Sequence, residues 1–199
     1  MFEILTTDEF DRWLSDLADE RARTKIASRV ARLRFGNAGD VKPVGEGVSE
    51  MRVHHGRDTA SITSKWKERS SSFCAVEISR AKPRISSERR KLLLNCERTA
   101  MIKISKFEAA NYLKSPQAMA DYLSEALATD DPEFICDALD TIARAKGMTQ
   151  VAKETGLSRE SLYKSLSGTT KPEFDTIRKV INSFGLRLVA EPIDKTEVA

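Results

Sequence analysis

Gly147-Met148-Thr149-Gln150-Val151-Ala152-Lys153-Glu154-Thr155-Gly156-Leu157-Ser158-Arg159-Glu160-Ser161-Leu162-Tyr163-Lys164-Ser165-Leu166 is the stretch on which the fold turns. Two short helices that cross steeply need a small residue at the crossing, and Ala152 supplies one. Four residues later the turn needs a positive φ, which Gly156 adopts without steric cost. Six residues further on an apolar side chain must pack back between the helices, and Leu162 stands there. Val151, Leu157 and Leu166 complete the small core. This is helix-turn-helix spacing, with Ser158 to Ser167 as a recognition helix whose first residues face base edges.

An α-hairpin with a glycine turn would share the Ala and Gly spacing. The polar, basic outward face of 158–164 favours a DNA reader over that alternative. Arg159 is placed to reach a guanine, Ser161 and Tyr163 to contact bases or phosphates, and Lys164 to meet a phosphate. Thr149 and Gln150, at the start of the preceding helix, are placed to donate to a phosphate beside the helix N-terminus. Ser158 and Glu160 complete the candidate set on the recognition helix, and Thr169 and Lys171 add backbone contacts from the following loop. Tyr163 would serve equally as a packing residue, and Glu160 as a solvated helix partner.

Outward from that motif, Ser115-Pro116 and Asp131-Pro132-Glu133 are helix starts, a capping residue followed by proline at the first helical position. Met119, Tyr122, Leu123 and Leu127 form the stripe of the first helix; Phe134, Ile135, Leu139 and Ile142 form that of the second. Further helices are expected at about 149–155, 158–166 and 173–184, the last stopped by Gly185. Leu186, Leu188 and Ile193 suggest a short strand. Residues 101–199 thus read as a bundle of about five helices, and the fold class as mainly α.

The first part of the chain has a different character. Phe10, Trp13, Leu14 and Leu17 mark one helix, with Thr7 or Asp8 to cap it. Ala22, Ile26, Val30 and Leu33 mark a second, closed by Gly36-Asn37-Ala38-Gly39. Met51 and Val53 alternate with Glu50 and Arg52 as a half-buried strand does. Residues 57–91 then show neither period, and Ser70, Ser71 and Ser72 make a polar run, so no ordered element is expected there.

The net charge of +3 is unevenly spread. Residues 1–56 hold 9 basic and 10 acidic side chains, 57–100 hold 11 and 5, and 101–199 hold 13 and 15. The chain therefore reads as composite: 1–56, an intervening 57–100, and 101–199. Cys74, Cys96 and Cys136 are odd in number and far apart, which argues against a disulfide framework, and none has zinc-ligand spacing. No metal and no cofactor is expected. Without a long apolar run or a signal pattern, the chain is expected to be cytoplasmic and to have no membrane partner.

Phe107-Glu108-Ala109-Ala110-Asn111-Tyr112-Leu113, Tyr122-Leu123-Ser124-Glu125-Ala126-Leu127 and Gly147 to Leu166 resemble the HigA-like addiction-module antidote proteins. The resemblance covers nearly all of 101–193. It implies a lambda-repressor-like DNA-binding domain that neutralises a partner toxin. It also implies autorepression as a homodimer, through the C-terminal half, on operator DNA.

The beginning of the chain resembles the RelE/ParE-superfamily (HigB-like) killer proteins. The matching residues are Trp13-Leu14, Arg29-Val30-Ala31-Arg32-Leu33, Gly36-Asn37, Gly39-Asp40-Val41-Lys42-Pro43-Val44 and Gly47-Val48-Ser49-Glu50-Met51-Arg52. RelE-type members of that family cleave ribosome-bound mRNA. After Gly56 the family continues with Gly-Tyr-Arg-Val-Tyr-Tyr, which this chain lacks. Yet Arg57 to Thr63 can be encoded so that the frame starting at each codon's third base gives that sequence. Phe73 to Pro83 likewise permits the family's later Leu-Cys-Gly-Gly-Asp-Lys-Ser-Ser-Gln, and Cys96-Glu97 permits a stop just before Met101. Loss of one base near the codon for Gly56 would account for all three.

The expected function is a DNA-binding type II antitoxin that neutralises a RelE-like toxin and is fused to an incomplete α+β, inactive toxin remnant. No catalytic residues are expected. Lys42, Arg52 and His54 are the candidates for residual RNA-facing groups. One alternative is a RelE-like mRNA endoribonuclease held inactive by its fused antitoxin. Another is an interaction module that pairs with a separately encoded toxin or antitoxin.

Overall fold

The computed structural model of the chain describes residues 3–37, 39–45, 48–55, 58–65, 72–79, 104–168, 172–190 and 192. Helix predominates among these residues, in keeping with the mainly α expectation, but the chain also builds a mixed sheet in the order β2-β3-β4-β5-β1-β6. Its strands are β1 (Glu3–Thr7), β2 (Val41–Gly45), β3 (Val48–His55), β4 (Asp58–Lys65), β5 (Ser72–Ser79) and β6 (Ile104–Lys106). β1 runs parallel to β5 and antiparallel to β6; the remaining pairs are antiparallel.

The helices of the first part form as their caps dictate. Thr7 Oγ1 accepts the Phe10 N–H at 3.2 Å and opens α1 (Asp8–Asp16). Asp19 accepts the N–H groups of Arg21 and Ala22 and opens α2 (Glu20–Arg32). A 3-10 turn, Leu33–Phe35, ends at Gly36 with φ 78°, a left-handed conformation that favours glycine. Phe10 and Leu14 of α1 and Ile26, Ala27 and Val30 of α2 are buried, as are Met51 and Val53 of β3. The strand read from the alternation of Met51 and Val53 is therefore present.

Three short strands escaped the sequence reading. β1 and β6 are too brief to display a period, and β2 carries Pro43. As an edge strand, β2 tolerates a residue that cannot donate to the ladder, and its register shifts between Pro43 and Gly45. A correction is also needed for 57–91, where no ordered element was expected. β4 pairs with β3 from His55↔Asp58 to Val48↔Lys65, and β5 pairs with both β4 and β1. Backbone pairing demands only extended geometry, so a ladder can form where side-chain alternation is absent.

The five expected helices of the second part are α3 (Pro116–Leu127), α4 (Pro132–Lys146), α5 (Met148–Thr155), α6 (Arg159–Leu166) and α7 (Phe174–Ser183). Ser115 caps α3 and Asp131 caps α4, each followed by proline inside the first turn. A 3-10 turn, Ala109–Tyr112, precedes α3. Residues 186–190 are irregular, which corrects the short strand expected from Leu186 and Leu188; Ile193 lies outside the described residues.

One continuous apolar cluster joins the two parts, running from Ile4, Phe10 and Ile26 through Phe107, Tyr112 and Tyr122 to Leu139 and Ile142. α2 packs along α3. The Phe107 ring lies 6.3 Å from that of Phe10 and stacks on Tyr112 at 5.6 Å; Phe35 meets Phe134 at 5.7 Å.

Within α2 the hydroxyls of Thr24 and Ser28 are buried and have no hydrogen-bond partner among the described residues. A buried, unsatisfied hydroxyl costs about 1–3 kcal/mol relative to a paired one. Ser28→Ala and Thr24→Val are therefore expected to raise stability by about 1 kcal/mol each in urea unfolding. A loss of stability in both variants would show that these hydroxyls are satisfied.

Candidate nucleic-acid interface

The N–H of Gly147 donates to the Ala143 carbonyl at 2.9 Å and closes α4, and α5 begins at the next residue without a side-chain cap. The α5–α6 turn is set at Gly156, with φ 72°. A Cβ built on Gly156 would meet nothing within 4 Å, so the backbone conformation alone calls for glycine. The Thr155 hydroxyl donates to the Val151 carbonyl at 2.8 Å and accepts the Leu157 N–H at 3.4 Å, which tightens the turn. Val151, Ala152, Leu162 and Leu166 are buried, and Leu157 packs against the same core. These are the residues that the spacing nominated.

The outward face of α6 carries Arg159, Glu160, Ser161, Tyr163 and Lys164, all exposed, with Tyr163 at 45%. Tyr163 thus presents its ring outward. It also lines a cleft of about 470 Å³ with Leu166, Ser167 and Gly168, and with Arg34, Phe35, Glu133, Asp137 and Asp140. Ser158 serves as the N-cap. Its Oγ accepts the Ser161 N–H at 3.0 Å and lies 2.8 Å from the Ser161 Oγ, so the two hydroxyls pair with each other.

Thr149 and Gln150 are exposed at the start of α5. The Gln150 amide already donates to Glu154 at 2.6 Å, and Lys146 reaches the other oxygen of that carboxylate at 3.0 Å. These two bonds, Gln150's first, hold the Glu154 carboxyl below its ordinary range. Lys146 also donates to the Ser183 carbonyl and so ties α4, α5 and α7 together. That role was invisible in the sequence, where a lysine near a helix end reads only as a partner of the helix dipole. Lys153, exposed on α5, is a further cation that spacing did not nominate. Thr169 and Lys171 lie outside the described residues.

The residues suggested as RNA-facing are not brought into a described site. Lys42 is exposed on edge strand β2, opposite Glu50 in the ladder. Arg52 and His54 occupy β3 opposite Ser61 and Thr59, and their side chains fall outside what is described. Among the described residues no cluster of three or more His, Cys, Asp or Glu could hold a metal, and no helix is long and apolar enough to cross a membrane.

Residues 103–192, which contain this whole two-helix unit, match the family described as "Probable addiction module antidote protein". A Haemophilus influenzae protein described as "Uncharacterized protein" is 44% identical over 85 residues, 43% of this chain and 88% of the relative. Over residues 103–192 the chain belongs to the addiction-module antidote family. A second H. influenzae protein, also "Uncharacterized protein", is 49% identical over 55 residues, 28% of this chain and 56% of the relative. No solved structure matches the chain. The exposed face of α6 lies within this matched segment.

A left-handed backbone costs an ordinary L-residue about 1–2 kcal/mol, and asparagine less. Gly156→Asn is therefore expected to unfold closer to the parent in urea than Gly156→Val, with the valine variant lower by about 1 kcal/mol or more. Equal stability of the two variants would remove the conformational requirement at this turn.

Proposed function

We propose that the chain is a sequence-specific DNA-binding antitoxin of a type II toxin–antitoxin system. On this reading its antidote half represses its own operon and neutralises a RelE-like toxin, and residues 1–56 are an inactive remnant of such a toxin. The observation that carries the reading is the exposed Arg159–Lys164 face, on a helix seated by Val151, Ala152 and Leu162 in a segment that matches the antidote family. The frame-shifted reading of 57–100 supports the fusion, and the nucleotide sequence around the codon for Gly56 tests it. Codons that forbid the shifted motifs would remove it.

The structure bears on this reading in one further way. Strands β4 and β5 extend the sheet beyond Gly56, so a remnant without its later strands no longer follows from the loss of periodicity. Inactivity rests instead on the side chains: the sequence beyond Gly56 departs from the killer-protein pattern, and with it go the polar and basic groups that phosphoryl transfer would require.

Operator binding by the full chain to its upstream promoter, followed by gel shift or fluorescence anisotropy, tests the DNA-binding claim. Arg159→Ala is expected to weaken binding by about 1–3 kcal/mol and relax preference at one base position, and Lys164→Ala to weaken binding more uniformly across sequences. Unchanged binding in both variants would sink the assignment of the recognition helix. Residues 101–199 hold 13 basic and 15 acidic side chains, so affinity must come from local contacts and dimerisation rather than from bulk charge.

The homodimer proposed with this function draws support from three exposed apolar side chains late in the antidote half: Phe174 at 69%, Leu188 at 43% and Val189 at 65%. Phe174→Glu combined with Val189→Glu is expected to shift the chain toward monomer in analytical ultracentrifugation and to lower operator affinity with it. A double variant that stayed dimeric would place the dimer contact elsewhere.

A further inference from the structure

The matched antidote segment begins at 103, yet several of its apolar side chains pack against residues that precede it. Phe107 and Tyr112 are 6% and 5% exposed, with Phe107 facing Phe10 of α1. Phe134, at the start of α4, meets Phe35. A relative for which 88% of the length aligns with this chain over only 85 residues has no room for a counterpart of α1, α2 and the sheet as well as the antidote segment. Such a chain would leave this face bare, and a bare apolar face of that kind marks a protein interaction site.

We propose that residues 104–137 form the toxin-docking surface of the antidote half, that its partner is a helix pair of the α1–α2 kind whose second helix is basic, and that in this chain residues 3–35 fill it in cis. The proposal rests on the antitoxin reading for the identity of the partner.

The seam has the anatomy of an interface between two polypeptides: an edge-to-edge strand, an apolar centre and a charged rim. β6 adds to the free edge of β1, pairing Leu5↔Lys106, Thr6↔Ser105 and Thr7↔Ile104, and the Phe107 N–H donates to the Ile4 carbonyl at 2.9 Å. The rim is complementary in sign. The α2 side supplies the cations Arg21, Lys25 and Arg34, and the antidote side supplies Asp121, Glu125 and Asp137, at 3.9, 3.6 and 3.0 Å. Three side-chain hydrogen bonds fix the register: Ser105 Oγ to Asp11 at 2.9 Å, Tyr112 OH to Asp11 at 3.1 Å and Ser115 Oγ to Glu20 at 2.8 Å. Burial, and then the charge of Asp11, push the Tyr112 phenol above its ordinary value, so it remains a donor. Tyr163 of α6 borders the seam at the cleft it shares with Arg34 and Phe35, and Arg159, Glu160, Ser161 and Lys164 stay exposed in the filled state.

The test starts from the full chain carrying a protease site inserted between residues 90 and 91. After cleavage the two pieces are expected to co-elute in gel filtration. The intact, uncleaved chain is expected not to capture a labelled N-terminal piece, whereas the cleaved chain exchanges it. Arg21→Glu with Lys25→Glu is expected to speed dissociation of the cleaved pieces about tenfold, because like charges then face each other across the rim. Adding Asp121→Arg and Glu125→Lys is expected to restore it. Separation of the cleaved parent, capture by the uncleaved chain, or indifference to the charge reversals would each overturn the proposal. Promoter binding measured on the same cleaved sample keeps the two claims apart: pieces that stay together without retarding DNA would spare the docking surface and sink the DNA-binding reading, and the reverse result would do the opposite.

Discussion

The antidote half depends on α4 being buried on nearly every side. Phe134, Ala138, Leu139, Ile142 and Ala143 are fully enclosed, and α3, α5, α6, α7 and the 3-10 turn at 109–112 all pack against this one helix. A helix enclosed in this way fixes its neighbours by ridge-and-groove packing, so the angle at which α6 stands is set as much by α4 as by the turn at Gly156. Arg144 extends the arrangement to the surface, with Asp140 at 2.9 Å and Glu108 at 2.7 Å. Lys146 at the end of α4 then holds the α5–α7 side in place.

The same helix meets the first part of the chain at its opening turns. Arg34 pairs with Asp137 at 3.0 Å, beside the contact of Phe35 with Phe134. Burial pushes the Asp137 carboxyl up while Arg34 pulls it down, and burial prevails. A pair in that position contributes orientation more than stability, because desolvation offsets much of the Coulomb attraction. The rim pairs Arg21–Asp121 and Lys25–Glu125 are more exposed, and each is worth about 0.2–1 kcal/mol. The strength of the seam therefore resides in its apolar centre, and its selectivity in the signs of its charges.

How far the sequence could be read follows from the range of the forces involved. Caps and glycine turns act over three or four residues, and Thr7, Ser115, Asp131 and Gly156 all stand where local chemistry puts them. The small core of α5 and α6 was equally legible, since Val151, Ala152, Leu162 and Leu166 lie within sixteen residues of one another. Among the candidate contacts, Ser158 also caps α6 and Gln150 also donates to Glu154, local engagements over three and four residues that the sequence reading passed over. What spacing could not supply was the seam. The carboxylate partners of Arg21 and Lys25 are about a hundred residues away, and the brief strands β1 and β6 gain their pairing only when the chain brings them together.

The seam and the exposed face of α6 meet at one place. The cleft bordered by Tyr163, Leu166 and Ser167 is bordered also by Arg34 and Phe35, which belong to the first part of the chain, and by the α4 carboxylates Glu133, Asp137 and Asp140. The seam thus brings a guanidinium to the end of α6 and sets it against Asp137, in a half whose overall charge is slightly acidic. Over the roughly 8 Å within which charges are felt at physiological salt, that pairing offsets the acidic flank. On the proposed DNA-binding function, occupation of the seam would therefore favour the approach of a phosphate backbone, and the physical link between the two is the opening of α4, which both parts of the chain share.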